Sequence, residues 1–110
     1  MSDTVVQYHR VAAANEIVAG QGHRVSIGGC DIAIFHIDGE FFAIDDTCTH
    51  GFASLCEGFV DGDRIECPLH AGQFEIKTGK AVEAPCAIDL RTYPVRLDED
   101  GIHVGTPMST

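Results

Sequence analysis

The chain has 110 residues, 45% of them apolar, which suits a single globular domain with its own core. Seven basic residues against seventeen acidic ones give a formal charge of −10, which disfavours nucleic acid and anionic membranes as partners. No apolar run is long enough to span a bilayer, and Met1-Ser2-Asp3-Thr4 opens no basic, apolar signal segment, so the expected location is the cytoplasm.

Residues 4–10, rich in β-branched and aromatic side chains, predict a first strand. Residues 11–19 predict a short helical turn, favoured by alanine and Glu16 and cut short by Gly20 and Gly22. Residues 23–27 and 31–37 predict strands separated by Gly28-Gly29. Asp38-Gly39 predicts a hairpin turn, because its backbone tolerates positive φ, with the partner strand at 40–44. This close spacing of short strands points to an all-β domain.

Residues 45–54, polar and small, predict a loop that carries Cys48-Thr49-His50. A hairpin of 58–60 and 64–66 about Asp61-Gly62 leads to a second loop, Cys67-Pro68-Leu69-His70, and a third hairpin joins 73–76 to 81–83 through Thr78-Gly79-Lys80. Each loop offers one thiolate and one imidazole, and the intervening residues 51–66 are enough to fold the loops face to face. Two matched loops at hairpin ends imply one shared metal site.

Cysteine with histidine suits zinc, iron and copper, whereas magnesium, calcium and manganese prefer oxygen donors. Zinc sites space paired ligands by roughly two to four residues, and Cys48-x-His50 leaves one. That tight pair is strained as a chelate of one ion. It is natural if its two side chains go to two different irons and Cys67 and His70 repeat the arrangement from the other side. Two thiolates on one iron and two imidazoles on the other make a Rieske [2Fe–2S] centre. A structural zinc module on the same four residues is the alternative.

Residues 84–87 form an apolar loop after the third hairpin; residues 90–97 predict a strand that Pro94 confines to an edge or a bulge. Residues 98–101 turn the chain, 102–104 complete the sheet, and 105–110 predict a frayed tail. The whole of 1–110 reads as one domain, with its metal-binding part at about 45–87. His9, His23, His36 and His103 are scattered through predicted strands and read as structural. Besides Cys48 and Cys67 the chain has Cys30, Cys56 and Cys86, an odd number that argues against a disulfide framework. Cys30 and Cys86 read as small core residues and Cys56 as a bystander after the first loop. Gly20-Gln21-Gly22 lacks the third glycine and the βαβ context of a dinucleotide site.

Cys48-x-His50 followed by Cys67-x2-His70, with Gly51 after the first histidine, Pro68 after the second cysteine and Gly72-x-Phe74 beyond, resembles the Rieske-type [2Fe–2S] ferredoxin components of bacterial multicomponent aromatic-ring-hydroxylating dioxygenase systems. The likeness runs over about residues 41–104. It implies the Rieske iron–sulfur fold, an antiparallel β sandwich of short strands with a cluster-binding subdomain, and one [2Fe–2S] cluster held by Cys48, His50, Cys67 and His70. It also implies histidine ligation through Nδ1, with Nε2–H free to meet a partner, and places residues 84–87 over the cluster. The implied role is a soluble one-electron carrier without turnover of its own. It would pass electrons from an NAD(P)H-dependent flavoprotein ferredoxin reductase to a terminal oxygenase in aromatic hydrocarbon catabolism, through transient contacts steered by its acidic charge. The ring substrate is decided in a different polypeptide. A Rieske-like small subunit of a nitrite reductase type enzyme is the second functional reading.

The mixed ligands have an electrostatic consequence. An oxidised core with two thiolates and two neutral imidazoles is neutral overall, whereas four thiolates would leave a dianion that resists an added electron. Rieske centres accordingly lie at about −150 to +300 mV, against about −400 mV for plant-type ferredoxins. High-potential respiratory members of the wider family have a serine two residues and a tyrosine four residues after the second histidine, each donating to sulfur. Here those positions are Gly72 and Phe74, which predicts a low-potential centre. Ala53 and Leu69 stand where those proteins have a loop-clipping disulfide, so none is expected.

Overall fold

The computed structural model describes residues 6–49, 53–69, 72–84 and 86–107. In chain order the strands are β1 (Val6–Ala12), β2 (Gly22–Ile27), β3 (Cys30–Ile37), β4 (Glu40–Asp45), β5 (Phe59–Asp61), β6 (Arg64–Glu66), β7 (Gln73–Glu75), β8 (Ala81–Glu83), β9 (Thr92–Tyr93), β10 (Val95–Asp98) and β11 (Gly101–Pro107). Short 3-10 turns occupy Ala14–Glu16 and Leu55–Glu57. The strands form three antiparallel sheets, ordered β1-β11-β10, β2-β3-β4-β9 and β5-β6-β7-β8. The all-β architecture is the one that the strand spacing predicts.

The middle sheet is built on β3. Side chains alternate sides along a strand, yet Ile32, Ala33, Ile34 and Phe35 are all fully buried. Ala33, Phe35 and Ile37 pack into one apolar cluster with Ile44, Leu55, Ile65, Phe74 and Ile76. Ile32 and Ile34 pack into another with Ala12, Ala43, Tyr93, Ile102 and Val104. β3 therefore separates a core shared with the β1-β11-β10 sheet from a core shared with the β5–β8 sheet. The second core contains Cys48, Cys67 and Cys86.

Turn chemistry sets the register. Asp38 and Gly39 adopt φ of 53° and 81°, the doubly positive pattern of a type I′ hairpin turn, and Ile37 faces Glu40 across it. Gly28 and Gly29 do the same between Ile27 and Cys30.

Several boundaries differ from the sequence expectation. β1 continues through Val11 and Ala12, where a helical turn was expected, because a bulge lets Ala12 pair with Ile102 and bury its methyl; only Ala14–Glu16 turns. Residues 4 and 5 lie outside the described residues. The second hairpin turns at Gly62-Asp63, with Asp61 paired to Arg64 in the ladder. The third ends its first strand at Glu75, leaving Ile76 to bond the Asp63 carbonyl. The expected strand 90–97 is two strands: Pro94 hands the chain from the edge of one sheet, where β9 pairs with β4, to the edge of another, where β10 pairs with β11. Gly105 to Pro107 are paired with Tyr8, Gln7 and Val6, so the part of the expected tail that is described is strand; residues 108–110 lie outside the described residues.

Ile34 faces only the core away from the three cysteines. Replacing it with alanine should cost about 2–5 kcal/mol of stability, read as a lower thermal or denaturant midpoint, while Cys48 and Cys67 of the folded fraction stay as protected from thiol reagents as before.

Candidate metal centre

The first loop is a hairpin closed at its base. Asp46 carbonyl accepts from the Leu55 amide at 2.8 Å, Thr47 bridges Ser54, and the Cys48 amide donates to the Ala53 carbonyl at 3.0 Å. The second loop extends the β6–β7 ladder in the same way: Glu66 faces Gln73, and the Cys67 amide donates to the Gly72 carbonyl at 2.8 Å. Each cysteine thus starts a tip that closes on the residue five positions later. His50 lies inside the first closure and His70 inside the second by sequence. Both histidines, and Gly51, lie outside the described residues.

Cys48 and Cys67 are 3% and 1% exposed, so both sulfurs sit under the tips and away from water. Burial disfavours an isolated thiolate, and a metal that takes both sulfurs relieves that penalty. None of the five cysteines is in a disulfide, in agreement with Ala53 and Leu69 at the clip positions. Phe74 is fully buried. Gly72 has a close-approach role: a Cβ there would stand 2.4 Å from Cys86 Sγ and 3.0 Å from the Cys86 amide nitrogen.

Cys86 Sγ lies 4.0 Å from Cys48 Sγ, and burial, with the Cys48 sulfur beside it as the next cause, pushes its thiol pKa up to about 12. Two residues on, the Ile88 carbonyl accepts from Thr49 Oγ1 at 2.6 Å. The segment following Ala84 is therefore held against the first loop; Pro85 itself lies outside the described residues.

Two aspartates at the end of β4 anchor this arrangement. Asp45 takes the Arg91 side chain and amide at 3.0 and 3.1 Å and also the Tyr93 hydroxyl, which fixes β4 to β9. Asp46, 2% exposed, accepts from Ser54 Oγ at 2.9 Å and the Cys56 amide at 3.0 Å, with Arg24 at 3.9 Å. Cys56 is half-buried, and burial followed by its contact with Asp46 raises its thiol pKa, so it stays an inert thiol. Asp46 and the Cys86 contact escaped the sequence reading. The signal for Asp46 was a second acid, next to Asp45, at the start of a loop rich in small and hydroxyl-bearing side chains. Cys30 is half-buried and packs at the edge of the core that holds Ile32 and Ile34. His9 shares a hydrogen bond with Thr106, His36 stacks on Phe41 and His103 meets Asp98, which are structural roles.

Residues 7–94 match the model of the Rieske [2Fe–2S] domain. The chain is 42% identical over 87 residues, covering 79% of its own length and 84% of the relative's, to the ferredoxin component of the naphthalene 1,2-dioxygenase/salicylate 5-hydroxylase systems of a Ralstonia species. The chain belongs to the Rieske-type ferredoxins of aromatic-ring dioxygenase systems. Its fold superposes with a TM-score of 0.86 and 38% identity, over 94% of this chain and 96% of the other, on a chain from the complex of reduced oxygenase and oxidized ferredoxin in carbazole 1,9a-dioxygenase. A nitrite reductase small subunit from Mycobacterium tuberculosis superposes almost as well, at 0.85 over 96% of this chain and 99% of its own, but at 19% identity shares the fold alone.

A Rieske-type ferredoxin is an electron carrier, distinct from the catalytic subunit of its system, and family membership implies a Rieske-type [2Fe–2S] cluster. The donor set fits that group: two buried sulfurs on matched tips, with Ala53 and Gly72 closing them without bulk. Among the described residues no helix is long and apolar enough to cross a membrane.

Two substitutions test the supports. Asp46→Ala strips the acceptor from Ser54 and the Cys56 amide and should cost about 1–3 kcal/mol, seen as a lower melting midpoint and faster hydrogen exchange at the Cys56 amide. Gly72→Ala should cost about 1–3 kcal/mol by overpacking, and adding Cys86→Ala should recover part of that loss in a double-mutant cycle.

Proposed function

We propose that Cys48, His50, Cys67 and His70 hold the cluster, the two sulfurs on one iron and the two imidazoles on the other. The observation that carries this reading is the pair of identical closures, Cys48 amide to Ala53 carbonyl and Cys67 amide to Gly72 carbonyl, around two buried sulfurs. Bound there, the cluster accepts and releases one electron at a time. Both loops rest on paired backbone and a packed core, so the site changes shape little when the charge changes.

In this reading the protein takes electrons from an NAD(P)H-dependent flavoprotein reductase and delivers them to a terminal oxygenase in the cytoplasm. The tip supports that role. Leu69, immediately before His70, is 62% exposed, and Ile88, tied to the first loop by Thr49, is 66% exposed. They offer an apolar contact on the second ligand loop and the segment tied to the first, while the charge of −10 guides the approach of a basic docking surface. The segment following Ala84 covers the cluster side of the first loop. A buried Phe74 and a Gly72 without a side chain give no side-chain donor to the sulfurs from those two positions, which keeps the potential low.

Electron paramagnetic resonance of the dithionite-reduced protein tests the ligands. The expected spectrum is that of a mixed nitrogen and sulfur centre, with iron and sulfide in equal amounts and a potential below zero. An all-thiolate signal, or zinc in place of iron, would defeat the assignment. His50→Ala and His70→Ala should each abolish the native signal together with electron transfer.

Raising ionic strength should slow reduction of the oxygenase by the ferredoxin several-fold. A rate flat in salt would mean that the acidic surface serves solubility alone.

A further inference from the structure

Cys86 is held against the ligand sulfur of Cys48 from several sides. Its own side chain is 5% exposed, its amide donates to the Glu83 carbonyl at 3.1 Å, and its sulfur fills the space that a side chain on residue 72 would need. Thr49 Oγ1, on the residue after Cys48, donates to the Ile88 carbonyl at 2.6 Å, which fixes the segment carrying Cys86 to the loop carrying Cys48. The two sulfurs end 4.0 Å apart, within reach of a sulfur–sulfur hydrogen bond.

The direction of that bond follows from the roles of the partners. A metal-bound cysteine is a thiolate and has no proton to give. Cys86 is in no disulfide, so its sulfur is a thiol with an S–H to donate. We propose that Cys86 is a potential-setting residue of this ferredoxin, donating its S–H to the Cys48 sulfur. This rests on the reading of Cys48 as a cluster ligand.

The bond matters more after reduction than before. An added electron raises the negative charge on the ligand sulfurs, and a donor aimed at one of them stabilises the reduced form more than the oxidised form, which raises the potential. With Gly72 and Phe74 unable to donate through their side chains, the Cys86 thiol stands as a weak donor in the space beside Gly72. A purely space-filling Cys86 would have the opposite signature. Truncating it would admit water to the sulfurs, and a more polar surrounding favours the charged, reduced form.

Redox titration of the full-length holoprotein tests this with Cys86→Ala and Cys86→Ser. Alanine should lower the equilibrium constant for reduction by up to about tenfold, equal to about 59 mV for one electron. Serine, a stronger donor of similar size, should hold the wild-type value or exceed it. An alanine variant whose potential is unchanged or higher overturns the proposal, as does a serine variant that falls as far as alanine. The reduced spectrum separates this from the ligand assignment. A mixed-ligand signal in all three proteins with no fall in potential for alanine defeats only the role of Cys86, whereas an all-thiolate signal in the wild type defeats both. The wild-type protein gives a check that needs no variant. Its reduced-minus-oxidised infrared difference spectrum should show a thiol S–H stretch moving to lower frequency as the bond strengthens, and a spectrum without that shift also overturns the proposal.

Discussion

Everything at the cluster end of this molecule depends on closing two tips over two buried sulfurs. The Cys48 amide reaches the Ala53 carbonyl and the Cys67 amide reaches the Gly72 carbonyl, so each tip is a short continuation of a paired backbone. A paired base of this kind restrains the tip, because opening it would leave buried amides and carbonyls without partners. The tips are also supported differently. The second extends a regular ladder, β6 with β7, whereas the first has no named strand on its return side and relies on Asp46 to gather Ser54 and the Cys56 amide beneath it. A buried carboxylate takes over where the sheet stops.

The two-faced burial of β3 explains how a chain this small keeps those tips stiff. One face of β3 packs against the strands that bring the termini of the described chain together, and the other packs against the sheet that mounts the loops. A shift of β3 would therefore disturb both cores at once. The Asp45 contacts to Arg91 and Tyr93 add a polar tie between β4 and β9 at the level where the first loop leaves the sheet. Low structural change on reduction is what a one-electron carrier needs, and packing below the site favours it.

What could be read from the sequence was local chemistry. The Cys-x-His and Cys-x2-His pairs, the Asp38-Gly39 and Gly28-Gly29 turns and the three hairpins are all set within a few residues, and the structure keeps those turns and hairpins. Failures came where a partner is far away in the chain. Nothing near Val11 and Ala12 announces that Ile102 will extend their strand. Pro94 signals an edge, but not that two different sheets present their edges on either side of it. Gly105 to Pro107 resemble a polar tail until β1 supplies the missing half of the ladder. Asp46 reads as loop polarity until Ser54 and Cys56 are folded back onto it.

The choice between functional readings cannot come from the fold, since a nitrite reductase small subunit shares it at 19% identity. It comes from sequence kinship, since the chain is 42% identical over 79% of its length to a dioxygenase ferredoxin component. Leu69 and Ile88 are exposed, while Cys48, Cys67 and Cys86 are turned inward to a shared core. For the proposed carrier a small apolar contact would suit rapid release, and the formal charge of −10 would raise the encounter rate with a basic surface. The surroundings of the sulfurs are set from inside the protein, by Gly72 without a side chain and by the buried Phe74 and Cys86.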